Sequence, residues 1–154
     1  MNGGGDVHDF DFLRGTWTVE HRRLRQRLAG SQDWETFSAT YTVESRLGGR
    51  VSLGEFATSD GGFRGLSVRI FDAGRRTWSL HWIDGSSALH PPLVGGFLGE
   101  RGEFLGQAVH ENRPVHIRIV WTRLGEGRAR MEQAFSLDGR QWETNWVMDF
   151  RRER

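Results

Sequence analysis

Evenly spaced turn signals are the feature of this sequence that most restricts its fold. Nine short clusters rich in Gly, Asp, Asn and Ser divide the chain into ten segments of strand length. They lie at 29–33, 48–49, 59–62, 72–75, 84–87, 99–102, 111–113, 125–127 and 138–139. Short strands separated by regular Gly-rich turns are typical of all-β sandwiches and barrels. One short helical turn, at 9–13, is the helical element that the sequence predicts.

Apolar and polar residues alternate along these segments, as they do in strands with one buried face. In segments 36–47 and 114–123, the residues predicted to face inward are Phe37, Ala39, Tyr41, Val43, Leu47, Val115, Ile117, Ile119 and Trp121. Closing such a sheet into a barrel buries the apolar face and removes the edges. We therefore predict a closed antiparallel up-and-down barrel of about ten strands. Since side chains can fill the interior of an eight-stranded barrel, a ten-stranded barrel is predicted to enclose a cavity.

Two turns predict which residues face each other across a hairpin. A two-residue turn at 138–139 and a three-residue loop at 73–75 each set one register. The inward pairs that follow are Phe135–Trp142, Gln133–Thr144, Met131–Trp146, Ile70–Trp78, Val68–Leu80 and Leu66–Trp82. Since strand residues alternate between faces, Arg69 then belongs to the outer face.

Composition narrows the classes of function. Basic and acidic residues nearly balance, at 21 and 20, whereas nucleic-acid binders usually carry a basic surplus, so we expect no nucleic-acid partner. The absence of Cys excludes disulfides and thiolate metal sites. All 21 basic residues are Arg, a composition typical of a GC-rich bacterial genome. The absence of Lys excludes Schiff-base chemistry on a lysine.

The chain carries no targeting signal that the sequence reveals. No apolar run approaches the roughly 18 residues of a membrane helix, and the N-terminus lacks the apolar stretch of a signal peptide. We expect a cytoplasmic protein with no membrane partner, a flexible tail over 1–8 and one domain over 9–154. The six histidines show no close metal-ligand spacing, so no metal or cofactor is expected. The mostly polar outer faces argue against a structural or interaction protein, although they are compatible with a homodimer.

Four short motifs resemble a known family. They are Asp-Phe-x-Phe-Leu-x-Gly-x-Trp at 9–17, His-Arg-Arg-Leu at 21–24, Gln-Ala-Phe-Ser at 133–136 and Trp-Glu-Thr-Asn-Trp at 142–146. Together they resemble bacterial lipocalin-like (calycin-type) barrels of unknown function. The resemblance implies a barrel with a cavity and implies no reaction. The chain is more distantly similar to haem-binding nitrobindin barrels, whose iron ligand is a late histidine. No histidine follows His116, so haem is not expected.

Polar residues predicted to face the barrel interior are the candidates for chemistry. His21 is the candidate acid or base, because histidine titrates near neutral pH. Tyr41 is a candidate proton or hydrogen-bond donor. Glu55, which would set the charge of His21, faces inward beside Tyr41 if the preceding loop has three residues and outward if it has two.

The remaining candidates are ligand-binding residues. Arg23 lies on the same strand face as His21 and is suited to hold a carboxylate, phosphate or enolate. The other predicted cavity residues are Trp82, Trp121, Gln133, Thr144 and Trp146. The last strand is expected to close against the first, bringing Thr144 and Trp146 near His21.

Two functions fit this pattern. The first is the binding of a small, largely apolar or aromatic molecule, with one anionic group near Arg23. The alternative is a cofactor-free enzyme of secondary metabolism, such as a cyclase, isomerase, dehydratase or decarboxylase. In that case the cavity orients the substrate and His21, Arg23, Tyr41 or Glu55 supplies proton transfer or charge stabilisation.

Overall fold

The computed structural model describes residues 4–153 and confirms the predicted all-β barrel. Ten antiparallel strands follow one another around the barrel in chain order, and the first pairs with the last. They are β1 (Gly15–Leu24), β2 (Trp34–Arg46), β3 (Val51–Ala57), β4 (Arg64–Asp72), β5 (Thr77–Asp84), β6 (Leu93–Leu98), β7 (Arg101–His110), β8 (Arg113–Arg123), β9 (Arg128–Ser136) and β10 (Glu143–Arg152). Short 3-10 turns at Asp11–Leu13 and Leu47–Gly49 are the helical elements of these residues. Neither turn is long and apolar enough to cross a membrane.

The two ends of the barrel differ in what covers them. The end where β1 begins, here the plugged end, is filled by the N-terminal segment. The buried Phe10 ring packs edge-on against Trp78 and Phe97, at centroid distances of 5.0 and 5.2 Å. Leu13 is fully buried, and its carbonyl accepts a hydrogen bond from Trp17 Nε1 at 2.8 Å. The opposite end, here the open end, is surrounded by the β1–β2, β3–β4, β5–β6, β7–β8 and β9–β10 loops.

Residues 5–8, which lie in the predicted tail over 1–8, also belong to the plugged end. Gly5 N–H donates to the Arg76 carbonyl at 3.0 Å, and Arg76 Nε donates to the Gly5 carbonyl at 3.1 Å. Trp78 Nε1 donates to the Asp6 carbonyl at 3.3 Å. These bonds fix the segment beside the β4–β5 loop. Residues 1–3 of the predicted tail lie outside the described residues.

The predicted register of the β4–β5 hairpin is wrong by one residue. Asp72 pairs with Thr77, so the loop contains four residues, 73–76, rather than three. Asp72 Oδ1 accepts hydrogen bonds from two loop amides, and Arg76 takes a left-handed conformation with φ of 55°. The extra loop residue reverses the faces of β4, so Arg69 points inward and Ile70 outward.

The predicted register of the last hairpin is also wrong. The connection is a six-residue loop, 137–142, and Glu143 pairs with Phe135. A β-bulge then places one extra residue, Asn145, on β10, so that Trp146 pairs with Gln133. Trp146 remains on the inner face, whereas Thr144, expected inside, lies opposite Ala134 on the outer face.

Glycines on two strands make room for large aromatic rings inside the barrel. A Cβ at Gly54 would overlap the hydroxyl of Tyr41, and a Cβ at Gly65 would overlap the ring of Trp82. Each ring therefore folds over a neighbouring glycine on the inner face. The missing side chains let Tyr41 and Trp82 reach the interior without expanding the barrel.

Candidate functional site

A cavity of about 240 Å³ lies inside the barrel. Its lining is mainly apolar and aromatic, and it comprises Arg27, Tyr41, Phe56, Ser67, Arg69, Leu80, His81, Trp82, His90, Pro91, Leu93, Ala108, Val109, His110, Ile117, Ile119, Trp121, Met131, Gln133, Phe135, Trp146 and Met148. The lining reaches loops of the open end and includes no loop of the plugged end. The cavity therefore has its mouth at the open end and its floor above the N-terminal segment.

Arg69 on β4 contributes a buried positive charge to this cavity. The side chain is 2% exposed. Its Nε donates a hydrogen bond to Ser52 Oγ at 3.1 Å, and its Nη1 donates to the Tyr41 hydroxyl oxygen at 2.7 Å. The guanidinium carbon lies 5.2 Å from the centroid of the Phe10 ring, close to the floor. Neutral hydroxyls and aromatic rings thus surround a permanently charged group.

The Arg69 charge has no counter-ion among residues 4–153. No Asp or Glu oxygen of these residues lies within 4.0 Å of its guanidinium. Its Nη2 is buried and makes no hydrogen bond. Burying a charge without a partner is costly, and buried charges in proteins are normally paired. Such a group inside a cavity points to an anion as its partner.

Tyr41 extends the donor group around Arg69. The side chain is fully buried and stacks on Phe56, with ring centroids 3.9 Å apart. Because the Tyr41 oxygen accepts the hydrogen bond from Arg69, its own O–H remains able to donate. Arg69 Nη2 and the Tyr41 O–H are therefore donors on two neighbouring side chains of the cavity lining.

Gln133 places an amide on the wall across the barrel from Arg69. In the strand order, β9 lies five positions from β4, halfway around the barrel. Gln133 Nε2 donates to Asn145 Oδ1 at 2.9 Å, and the β10 bulge is what places Asn145 there. This bond orients the Gln133 amide within the cavity lining.

A segment held by hydrogen bonds to Asp84 lies at the rim of the open end. β5 and β6 pair over Trp78–Leu80, and beyond this stretch Ile83 pairs with Leu89 and the His90 amide donates to the Trp82 carbonyl at 2.9 Å, so that residues 81–92 form a hydrogen-bonded extension that borders the mouth. Asp84 fastens this segment, because its Oδ1 accepts the Ser86 and Ala88 amides and its Oδ2 contacts His90 Nε2 at 2.7 Å. Hydrogen bonds from the Ser86 hydroxyl and His90, followed by those backbone amides, hold the pKa of Asp84 well below its usual range.

His21 does not reach the cavity. Its ring is 1% exposed and stacks on Phe37 at 4.4 Å, with Phe63 at 5.2 Å. Its Nδ1 accepts a hydrogen bond from Trp146 Nε1 at 3.0 Å. Burial, and secondarily the nearby Arg23 charge, lowers the pKa of His21 to about 3. The ring is therefore neutral near pH 7, which is unfavourable for the predicted acid or base role.

The cavity lining does not include three of the predicted site residues: Glu55, Arg23 and Thr144. Glu55 is exposed on the outer face opposite Thr42, in the register of the two-residue alternative. Gly48 and Gly49, with φ of 66° and 94°, allow this tight connection. Of the two orientations that the sequence left open for Glu55, the structure has the outward one.

Arg23 is partly buried beside the cavity rather than in its lining. Its Nε contacts Glu35 Oε2 at 3.1 Å, which neutralises its charge. Its guanidinium carbon lies over the Trp146 ring, 4.8 Å from the centroid. The expected anion site at Arg23 is thus already occupied by a carboxylate of the same chain.

The other candidates are part of the cavity lining: Tyr41, Trp82, Trp121, Gln133 and Trp146. Arg69 and Arg27 were missed. Arg69 was assigned outward because the β4–β5 loop was predicted one residue too short. An Asp at the start of that loop, Asp72, is the signal for a wider turn, since an Asp carboxylate readily accepts the amides that follow it.

Comparisons with known proteins name no family. No protein-family model matches the chain, and no curated protein matches it. The closed ten-strand barrel is consistent with the lipocalin-like fold that the four motifs indicated. Within residues 4–153, no cluster of three or more His, Cys, Asp or Glu residues is arranged to hold a metal ion.

Proposed function

We propose that this barrel binds a small, largely apolar or aromatic molecule with one anionic group, and that Arg69 holds this group. The observation that carries the proposal is the buried Nη2 of Arg69, which faces no carboxylate among residues 4–153. The cavity volume of about 240 Å³ lies just below the roughly 300–1,000 Å³ of drug-sized pockets, which favours a small guest.

The donor geometry favours a carboxylate over a neutral polar group. Arg69 Nη2 and the Tyr41 O–H would each donate to one carboxylate oxygen, and charge-assisted hydrogen bonds of this kind are the stronger class. The apolar body of the ligand would then extend toward the mouth through the cavity that Trp82, Trp121 and Gln133 help to line. Aromatic walls with a few polar groups are typical of small-molecule sites.

The alternative, a cofactor-free enzyme, has weaker support. Of its three proposed catalytic residues, Glu55 is outside the barrel and His21 is a neutral hydrogen-bond acceptor for Trp146. Tyr41 is the one that lines the cavity. A cyclase or isomerase mechanism would therefore depend on Tyr41 and Arg69 alone, without a carboxylate base from the proposed set.

Membership of the bacterial lipocalin-like barrels is part of the same proposal. The motif at 9–17 supports it, because this segment plugs one end of the barrel and then opens β1 with Trp17. A ligand entering from the other end would meet the floor that this motif builds.

The test compares a carboxylate with its neutral isostere. Naphthalene-2-carboxylate and 2-naphthamide are titrated by calorimetry and Trp fluorescence into the wild type, Arg69→Met and Arg64→Met. Arg64 is the matched control, because it is an exposed arginine on the same strand. The wild type and Arg64→Met should prefer the carboxylate by roughly ten- to a hundredfold, as a charge-assisted hydrogen bond of about 1.5–3 kcal/mol implies.

Arg69→Met should lose that preference and retain weak binding of the amide. The proposal fails if neither compound binds the wild type, or if Arg69→Met keeps the preference for the carboxylate.

A further inference from the structure

A second unpaired arginine borders the same cavity at its mouth. Arg27 lies in the β1–β2 loop of the open end and belongs to the cavity lining. Its guanidinium carbon is 5.3 Å from the centroid of the Phe135 ring and 5.7 Å from that of Trp146. Both rings also line the cavity, so the cation lies over the aromatic wall rather than in bulk solvent.

The carboxylates nearest to Arg27 are engaged by other groups. Glu35 Oε2 contacts Arg23 Nε at 3.1 Å, and Glu143 Oε1 accepts the Leu28 amide at 2.6 Å. Within the described chain, no Asp or Glu oxygen lies within 4.0 Å of the Arg27 guanidinium. Burial, then the Arg23 charge, lowers the pKa of Arg27 to about 10, which leaves it positively charged near pH 7.

The two free arginines lie at opposite ends of the cavity. Arg69 lies at the floor, over the Phe10 ring. The centroid of that ring is 6.2 Å from the centroid of the Trp121 ring, and Trp121 pairs with Met131 on β9. Arg27 lies over Phe135, four residues further along that strand. At about 3.3 Å per strand residue, the two levels are separated by roughly 13 Å along β9.

We propose that the cavity selects an apolar or aromatic molecule with an anionic group at each end, an elongated diacid in which Arg69 holds the inner group and Arg27 the outer one. This inference depends on the proposed function, because it places a second anion on the ligand that Arg69 anchors. An ion pair at the mouth adds affinity only if the ligand spans the cavity. Selectivity should therefore depend on ligand length.

The test uses aromatic diacids of increasing length, each paired with its own monoacid. The probes are terephthalate and benzoate, naphthalene-2,6-dicarboxylate and naphthalene-2-carboxylate, and biphenyl-4,4′-dicarboxylate and biphenyl-4-carboxylate. Affinities are measured by calorimetry for the wild type, Arg27→Gln and Arg25→Gln. Arg25 is the control, because it is an exposed arginine in the same loop that already pairs with Asp33 at 2.8 Å.

For at least one length, the wild type and Arg25→Gln should bind the diacid about tenfold more tightly than the monoacid, as one partly buried charge-assisted contact implies. Arg27→Gln should reduce that ratio to about one, whatever its effect on monoacid affinity. The inference is overturned, with the proposed function intact, if monoacids bind through Arg69 but no diacid gains affinity, or if the gain survives in Arg27→Gln. If no compound of any length binds the wild type, the proposed function itself fails.

Discussion

The two most deeply buried basic side chains of this barrel lie in opposite settings. His21, on β1, is enclosed by Phe37, Phe63 and Trp146 in a part of the interior that side chains fill. Arg69, on β4, borders the cavity, where one of its nitrogens meets no partner within residues 4–153. Both residues point inward from a strand.

The difference shows that inward direction alone does not identify a binding residue. The His21 ring avoids the larger cost of a buried charge by staying neutral: its Nδ1 accepts a hydrogen bond from Trp146, whereas its buried Nε2 makes none. A guanidinium has no neutral form at ordinary pH, so Arg69 keeps its charge in the interior. Proteins normally pair such a buried charge with a charge of opposite sign. Open volume and an uncompensated charge together distinguish the setting of Arg69, where the proposed function places the ligand.

Removal of the His21 ring should have the largest effect on stability. His21→Ala leaves a void among Phe37 and Phe63 and deprives Trp146 Nε1 of its acceptor. The free energy of unfolding should fall by about 3 kcal/mol, measured by urea denaturation. His116→Ala, at a partly exposed position on β8, is the control and should cost less than about 1 kcal/mol. Equal losses at both positions would contradict the solid packing around His21.

The same histidine should make stability depend on pH. Its pKa is about 3 in the folded barrel and about 6.5 in an unfolded chain. Below pH 6.5 the unfolded chain binds a proton at His21 that the folded chain does not bind. The contribution of His21 to the free energy of unfolding is therefore fully present above pH 6.5 and is lost as the pH falls toward 3. Between pH 7 and pH 5 the wild type should lose about 2 kcal/mol more than His21→Gln, compared by denaturation at each pH. Parallel pH profiles for the two proteins would refute the neutral, buried state of His21.

Arg69 should show the opposite behaviour, a gain in stability on removal. Arg69→Met replaces an uncompensated buried charge by an apolar chain of similar length. The free energy of unfolding should rise by about 1 kcal/mol, since buried charges often contribute less than well-packed apolar residues. A loss of 3 kcal/mol, as expected for a broken ion pair, would instead indicate that Arg69 already has a partner within the fold.

The smallest effect is expected at the mouth. Asp84→Asn weakens the acceptor that fastens the 84–90 segment, yet the carboxylate is at the surface, so the melting temperature should stay unchanged. Hydrogen exchange at the Ser86 and Ala88 amides should accelerate in the variant. In the wild type, these amides should stay protected from exchange even at a pH below the usual titration range of Asp. The reason is that the groups bound to Asp84 lower its pKa. Unchanged exchange rates would show that the carboxylate does not hold the loop.

Strand order and much of the inner face could be predicted from the sequence, whereas two registers could not. Alternation correctly placed Ala39, Tyr41 and Val43 inside on β2, and Ile117 and Trp121 inside on β8. These predictions succeed because side chains of a strand alternate strictly and one face must be buried.

The candidate site was harder to predict, because strand registers depend on loop length and on bulges. One additional residue in the β4–β5 loop moved Arg69 from the outer to the inner face. The bulge at Asn145 kept Trp146 inside and placed Thr144 outside. A local rule for two- or three-residue turns does not anticipate side-chain acceptors such as Asp72, which stabilise a wider loop.

The amino-acid sequence by itself determined that this chain forms a ring of ten antiparallel strands with an aromatic interior, because turn spacing and alternation are local properties. Only the tertiary structure decided which charges are neutralised. Arg23 meets Glu35 on the neighbouring strand, whereas Arg69 and Arg27 meet no carboxylate in the part of the chain that the structure describes. Charge compensation depends on distances between residues far apart in sequence, and closure of the barrel fixes those distances.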